Sequence, residues 1–263
     1  MSWPPAESVE DEEARPGAPR DRWERRRGEP RVFALLLSLF LLAGAMTTVF
    51  SAPAVGAPSE GTFRRASGML LVLIALAIVA VWPMVRLSQA PPRRPVVAAL
   101  GDWVIVSLLA LAVVWPATLL PGGAAIRPAP WLGLWPWSMA AGLGLAFVSW
   151  ALLFGSVIAC GTAARVGWGR AGWMVVCVGL SAGAPITALL VGAGYSGSEW
   201  WSLMSPALAP GAMVRAPSGL TAQMTGAEWL AAIAPALVSA PVWLLAVRRQ
   251  RSMDRRLRGS LSR

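Results

Sequence analysis

No lysine, no histidine and no asparagine occurs among the 263 residues, and tyrosine occurs once. Each absence removes a class of chemistry. Without histidine there is no Ser-His-Asp or Cys-His nucleophile pair and no imidazole metal ligand. Without lysine there is no phosphate loop of the Walker A type, no kinase lysine and no Schiff base. Acidic residues number 13 against 23 basic ones, all of them arginine, for a formal charge of +10. The two cysteines, Cys160 and Cys177, lie inside apolar stretches, which offers neither a disulfide framework nor a thiolate metal site. What is abundant is apolar surface. At 56% hydrophobic and 14% charged residues, the chain carries more than a water-soluble fold of this size can bury. A nucleic-acid ligand fits the positive charge poorly, because the arginines cluster beside hydrophobic runs, as they do in membrane anchors.

Crossing the hydrocarbon takes about 20 apolar residues in a helix. Six uncharged or nearly uncharged runs meet that length: 32–50, 66–85, 96–120, 138–164, 171–193 and 229–247. The predicted fold is therefore all-α and polytopic, with six transmembrane helices over residues 31–247. A tail at 1–30 precedes them and a basic tail at 248–263 follows. The first tail is acidic through Glu7, Glu10, Asp11, Glu12 and Glu13, a composition that favours disorder, and then turns arginine-rich from Arg20 to Arg31, which suits an interfacial helix. A cleaved signal peptide is the competing reading of the first run, given Ala52-Pro53-Ala54 after it. The region before the run is too long and too acidic for one.

Orientation follows from arginine counts in alternate segments, since positive residues are retained on the cytoplasmic side. With the N-terminus inside, the inner segments carry 19 arginines and the outer ones 4, namely Arg64, Arg65, Arg127 and Arg215. Both termini are thus predicted to be cytoplasmic. The misfit is the Arg64-Arg65 pair, which Glu60 partly offsets. Tryptophans agree: Trp131, Trp135, Trp137, Trp200, Trp201 and Trp229 mark the outer interface, and Trp168 and Trp173 the inner one.

Gly194-Tyr195-Ser196-Gly197 matches the G-x-S-G pattern of intramembrane serine proteases, but a histidine partner is missing, so it reads as an outer turn. Gly142-Leu143-Gly144 begins a dinucleotide-binding pattern that Phe147 then breaks. Asp102 is the one acid inside a predicted span. Such a residue is a proton or cation relay, or else it pairs near the cytoplasmic interface with Arg93 and Arg94, about two turns away. Glu199 and Glu228 flank the outer loop and read as solvated. Pro83, Pro116, Pro185, Pro235 and Pro241 each remove a helical hydrogen bond. Gly155 with Ala159, and Gly179 with Gly183, put small residues one turn apart and allow close helix contact. The stretch from Trp200 to Gly211 is apolar yet too short and proline-rich to span, and it reads as a re-entrant or interfacial element.

The order of these elements resembles the permease subunits of the ABC-2 class of ABC transporters. The residues that carry the resemblance lie mostly in the second half: Leu152-Leu153-Phe154-Gly155-Ser156-Val157-Ile158-Ala159-Cys160, then the short basic turn Arg165 to Arg170, then a further span. Leu203-Met204-Ser205-Pro206-Ala207-Leu208-Ala209 is similar to the family's hydrophobic Ser-Pro segment, and the last span runs out through Arg248, Arg249 and Arg251. The loop Arg86 to Pro95 stands where the family has a basic loop against its ATPase, although the Glu-Glu/Gly-Thr-rich helix that usually precedes it is absent. The resemblance implies a dimer of permeases, each docked on a separate ATP-binding subunit through Arg86, Arg93 and Arg94. The chain itself would hold no nucleotide or other cofactor and would move a hydrophobic or amphiphilic substrate across the cell (inner) membrane. The alternative is a non-transporting subunit that scaffolds a larger membrane complex through its charged tails. A membrane-embedded enzyme is disfavoured by the lack of any convergent acid-base pair or metal set.

Overall fold

The computed structural model describes residues 35, 37–44, 60–89, 91–92, 94–119, 137–164, 167–191, 203–206, 209–210 and 224–261. Every regular element among them is helical. A short helical piece at 37–44 comes first. Helix α1 (Glu60–Leu76) then continues through a π-helical turn (Ala77–Val81) into α2 (Trp82–Ser88). The remaining elements are α3 (Pro95–Leu119), α4 (Trp137–Thr162), α5 (Gly167–Val191) and α6 (Gly226–Leu261).

Four stretches among the described residues are long and apolar enough to cross a membrane: Gly68–Ser88, Pro95–Trp115, Trp137–Thr162 and Gly226–Ser252. Six were expected from the sequence. Of the first expected run only 37–44 is described as helix. The fifth corresponds to α5, whose described apolar stretch covers Gly169–Ala182. The chain is thus an all-helical protein with the build of a multi-pass membrane protein. The tail at 1–30, the Gly194 to Gly197 turn, and Arg93, Arg127, Arg165 and Arg215 lie outside the described residues.

α4 forms the centre of the bundle, with 83% of its apolar window buried against 28% for that of α6. It packs most extensively on α6 and α3. Composition explains this placement. Gly142, Gly144, Ala146, Ser149, Ala151, Gly155, Ala159 and Gly161 give α4 a narrow profile on several sides, and without a hydrophobic force between helices in lipid, close van der Waals approach is what holds them together. Ala159 accordingly packs with Ala99 of α3 and Ala246 of α6. The Gly155/Ala159 spacing therefore marks a real helix contact. Gly179 does not: it is exposed, with nothing within 4 Å of where a Cβ would stand.

Pro83 explains the π-helical turn before it. Proline has no N–H to give to the carbonyl four residues back, which is that of Val79, and its ring crowds that turn. The helix widens instead, and the Trp82 N–H bonds the Ala77 carbonyl five residues back. The Ser181 hydroxyl of α5 stands 3.4 Å from the Val79 carbonyl, while its nearer acceptor is Cys177 O at 2.7 Å. A neighbouring helix thus supplies part of what the proline removes, as a bundle in lipid requires.

α6 opens with a reciprocal capping box. The Thr225 N–H donates to Oε2 of Glu228 at 2.7 Å, and the Glu228 N–H donates to Oγ1 of Thr225 at 3.3 Å. Glu228, expected as a solvated flank, is therefore a helix-starting residue. At its other end α6 continues without a break to Leu261, so the boundary expected at residue 247 is a change of composition and not of backbone. Leu203, Ser205, Pro206, Ala209 and Pro210 are buried, and Leu203 and Ala209 join the main core. The short Ser-Pro segment therefore folds against the bundle.

Candidate functional site

The end of the bundle that collects α2's last turn, α3's first turns, the end of α4 and the start of α5 holds the buried ion pair among the described residues. Arg86, in the last turn of α2, is 7% exposed, and Asp102, two turns into α3, is 1% exposed. The guanidinium forks onto the carboxylate: Nε donates to Oδ2 and Nη2 to Oδ1. Nη1 donates to Oε1 of Gln89 at 3.0 Å. The Gln89 carbonyl in turn accepts from Nη1 of Arg170, at 3.3 Å, on the first turn of α5. One planar fork therefore ties α2 to α3, and one glutamine carries the connection on to α5. The bidentate geometry is the one for which arginine is better shaped than lysine.

Asp102 was expected either as a relay or as a partner of Arg93 and Arg94; its partner is Arg86. The reason is helix register. Position 102 lies about 10 Å along α3 from its start, and side chains lean toward a helix's N-terminus, so Asp102 faces the last turn of the preceding helix across the connection. Arg86 in turn is not part of an exposed contact loop, as expected, but a buried brace. Arg94 is exposed just ahead of α3, where its carbonyl accepts the Ala98 N–H at 3.0 Å.

One turn inward from Arg86 lies Trp82, and next to Asp102 lies Trp103. These two tryptophans and Trp243 of α6 converge on Gly155. A Cβ there would stand 3.2 Å from Cη2 of Trp82, 3.4 Å from Cζ2 of Trp243 and 3.7 Å from Cβ of Trp103. The Trp103 indole N–H also donates to the Val148 carbonyl of α4, at 3.2 Å. The small residue at this position lets two rings and the Trp103 stem, from three helices, meet on the central one. This aromatic node was not visible beforehand, because the tryptophans that form it are far apart in sequence.

Two further contacts bind α6 into the same end. Gln250 accepts the Val96 N–H through Oε1 at 3.1 Å, which satisfies a donor at the start of α3. The Arg249 guanidinium lies 5.6 Å from the centre of the Trp173 ring, so this tryptophan of α5 serves as a cation platform. Arg86, Arg94, Arg170, Arg248, Arg249 and Arg251 all belong to this end, and Asp102 is the one carboxylate among its described side chains. Among the described residues no group of three or more Cys, Asp or Glu could hold a metal ion. Cys160 and Cys177 are buried free thiols, Cys160 donating weakly to the Val242 carbonyl at 3.5 Å.

Comparison with protein-family models, curated proteins and solved structures finds no match to this chain.

Proposed function

We propose that the chain is the membrane-spanning subunit of a transporter of the ABC-2 type, with six spans, both termini cytoplasmic, and energy supplied by a separate ATP-binding subunit. The observation that carries this reading is the buried Arg86–Asp102 fork, which joins the last turn of α2 to the first turns of α3 on either side of the basic connection. A load on that connection passes to α2 and α3 together, because the Arg86–Asp102 fork braces them. It then reaches the three tryptophans around Gly155 and, immediately beyond Trp82, the π-helical turn. Such a turn is a point at which a helix repacks readily. A brace at the base and a soft turn above it suit a helix pair that is pushed from the cytoplasm.

The basic end also suits a cytoplasmic position. The six arginines whose side chains are described there follow the retention of positive charge on that side. The moved substrate would be hydrophobic or amphiphilic, since the described spans hold no charged side chain near their middles to receive an ion. Two such chains would pair, as the resemblance implies.

The docking residues are Arg94, which is exposed, and its neighbour Arg93. Reversing both, as Arg93→Glu with Arg94→Glu, is expected to abolish co-purification of the ATP-binding subunit in mild detergent while the protein still folds. Retention of that subunit at the wild-type ratio would contradict this connection as the coupling site.

A further inference from the structure

We propose that the basic stretch of α6 that continues past its membrane-length part is a docking surface for the acidic segment Glu7 to Glu13 of the same chain. This rests on the six-span reading, which places residues 1–31 on the side where α6 emerges.

The surface is defined by where α6 goes and what it carries. Its membrane-length apolar stretch ends at Ser252, yet the helix continues to Leu261. Nine further residues at 1.5 Å each add about 13 Å. Two contacts fix the end at which they emerge: Oε1 of Gln250 accepts the Val96 N–H of α3, and the Arg249 guanidinium lies over the Trp173 ring of α5. The Arg86–Asp102 fork lies at that same end. At about 100° per residue, Met253, Leu257 and Leu261 fall within about 60° of Gln250 around the helix axis, whereas Arg248, Arg251 and Arg255 fall about 100° to 160° from it. Arg248, Arg251 and Ser252 are exposed. The extension is therefore amphipathic, with an apolar stripe on one side and an arginine row on the other.

Its charge calls for an acidic partner. Residues 248–258 hold six arginines and one acid, Asp254, for a net charge of +5. Arg248 with Arg251, and Arg251 with Arg255, are like-charge neighbours at helical spacings of three and four, which disfavours the very helix that forms. An anionic partner along the row removes that cost.

The chain carries one segment that matches. Residues 7–13 hold five acids and no arginine, a net charge of −5, with Val9 among them as an apolar group for the stripe. The other eight acids of the chain are dispersed. Complementary charge of this kind sets register and partner choice, and a block of like charge is commonly an interaction segment. Eighteen residues, 14–31, join the acidic run to the first predicted span and extend to about 60 Å. A bundle a few helices wide, at about 10 Å per helix, is well within that reach. Tethering also holds the partner at an effective concentration on the order of millimolar, so weak exposed pairs suffice to favour the docked state over any free acidic peptide.

The test places one thiol in each segment, as Ser8→Cys with Ser252→Cys, in the full-length protein in mild detergent, and follows intramolecular disulfide formation by mass spectrometry. Neutralising the run as Glu10→Gln, Asp11→Asn, Glu12→Gln and Glu13→Gln leaves the helical bundle untouched and is expected to slow the disulfide by at least about fivefold, the worth of one or two exposed charge pairs. Raising the salt from about 0.05 to 0.5 M is expected to slow it similarly, because the pairs are solvent-exposed and screened. A rate that responds to neither change would overturn the proposal, and so would a disulfide that forms only between two copies of the chain. Labelling of the two single-cysteine variants with a membrane-impermeant thiol reagent in sealed vesicles reads the underlying topology. Label entering from opposite sides would overturn the six-span reading together with the docking; label entering from one side, with no charge-dependent disulfide, would overturn the docking alone.

Discussion

Asp102→Asn is expected to destabilise the protein by about 3–5 kcal/mol, the cost of leaving a buried guanidinium without its counter-charge. The size of the effect follows from burial. Arg86 is 7% exposed and Asp102 1%, so water cannot replace the lost carboxylate. Asparagine preserves the shape and one acceptor but not the charge. The reverse experiment decides whether the pair is worth more than its own desolvation. Arg86→Met combined with Asp102→Leu removes both charges and fills the space with apolar atoms, and such a replacement of a buried pair is often neutral or stabilising. We expect the double variant to unfold within a few degrees of wild type and each single variant well below it, as read by thermal unfolding in detergent. Equal losses in single and double variants would mean that the residues matter for packing and not for mutual neutralisation.

Gly155→Leu is expected to cost about 3 kcal/mol, at the upper end of what overpacking a core does. The Trp82 and Trp243 rings and the Trp103 Cβ already stand within 3.2 to 3.7 Å of the first added carbon, and rigid rings cannot fold away as a flexible chain would. Gly155→Ala is the control. Its single carbon asks the Trp82 ring edge to give by a few tenths of an ångström, while alanine gains up to about 1 kcal/mol of helix propensity over glycine. Thermal unfolding should show the alanine variant near wild type and the leucine variant far below. If leucine is tolerated, the three tryptophans do not form a close-packed node in solution.

What the sequence makes legible here is what a single run of chain determines. Apolar length identifies the four membrane-length helices among the described residues, arginine clusters identify the basic end, and the Gly155/Ala159 spacing identifies a contact face that the structure uses. What it leaves illegible depends on the register of two helices at once. Arg93 and Arg94 are Asp102's nearest cations along the chain, whereas Arg86, 16 residues away, is its partner, because the connection turns α2 back beside α3. Pro83 announces a lost hydrogen bond, but whether the helix kinks or widens depends on its neighbours, including Ser181, which lies 102 residues away from Val79 in sequence. Small-residue spacing says that a helix is narrow and not which side is covered, and for that reason Gly155 and Gly179 differ in outcome. The Thr225-x-x-Glu228 cap is a case of the opposite kind. Its pattern stands in the sequence, hidden by the loop-like composition of the residues before it.

The most direct test of a subunit driven from the cytoplasm is affinity purification of the full-length chain from its native host in mild detergent, with mass spectrometry of what co-elutes. Recovery of an ATP-binding subunit in stoichiometric amount is the expected result. Recovery of a large assembly that contains no ATP-binding subunit would contradict the transporter reading and assign the chain to a scaffolding role.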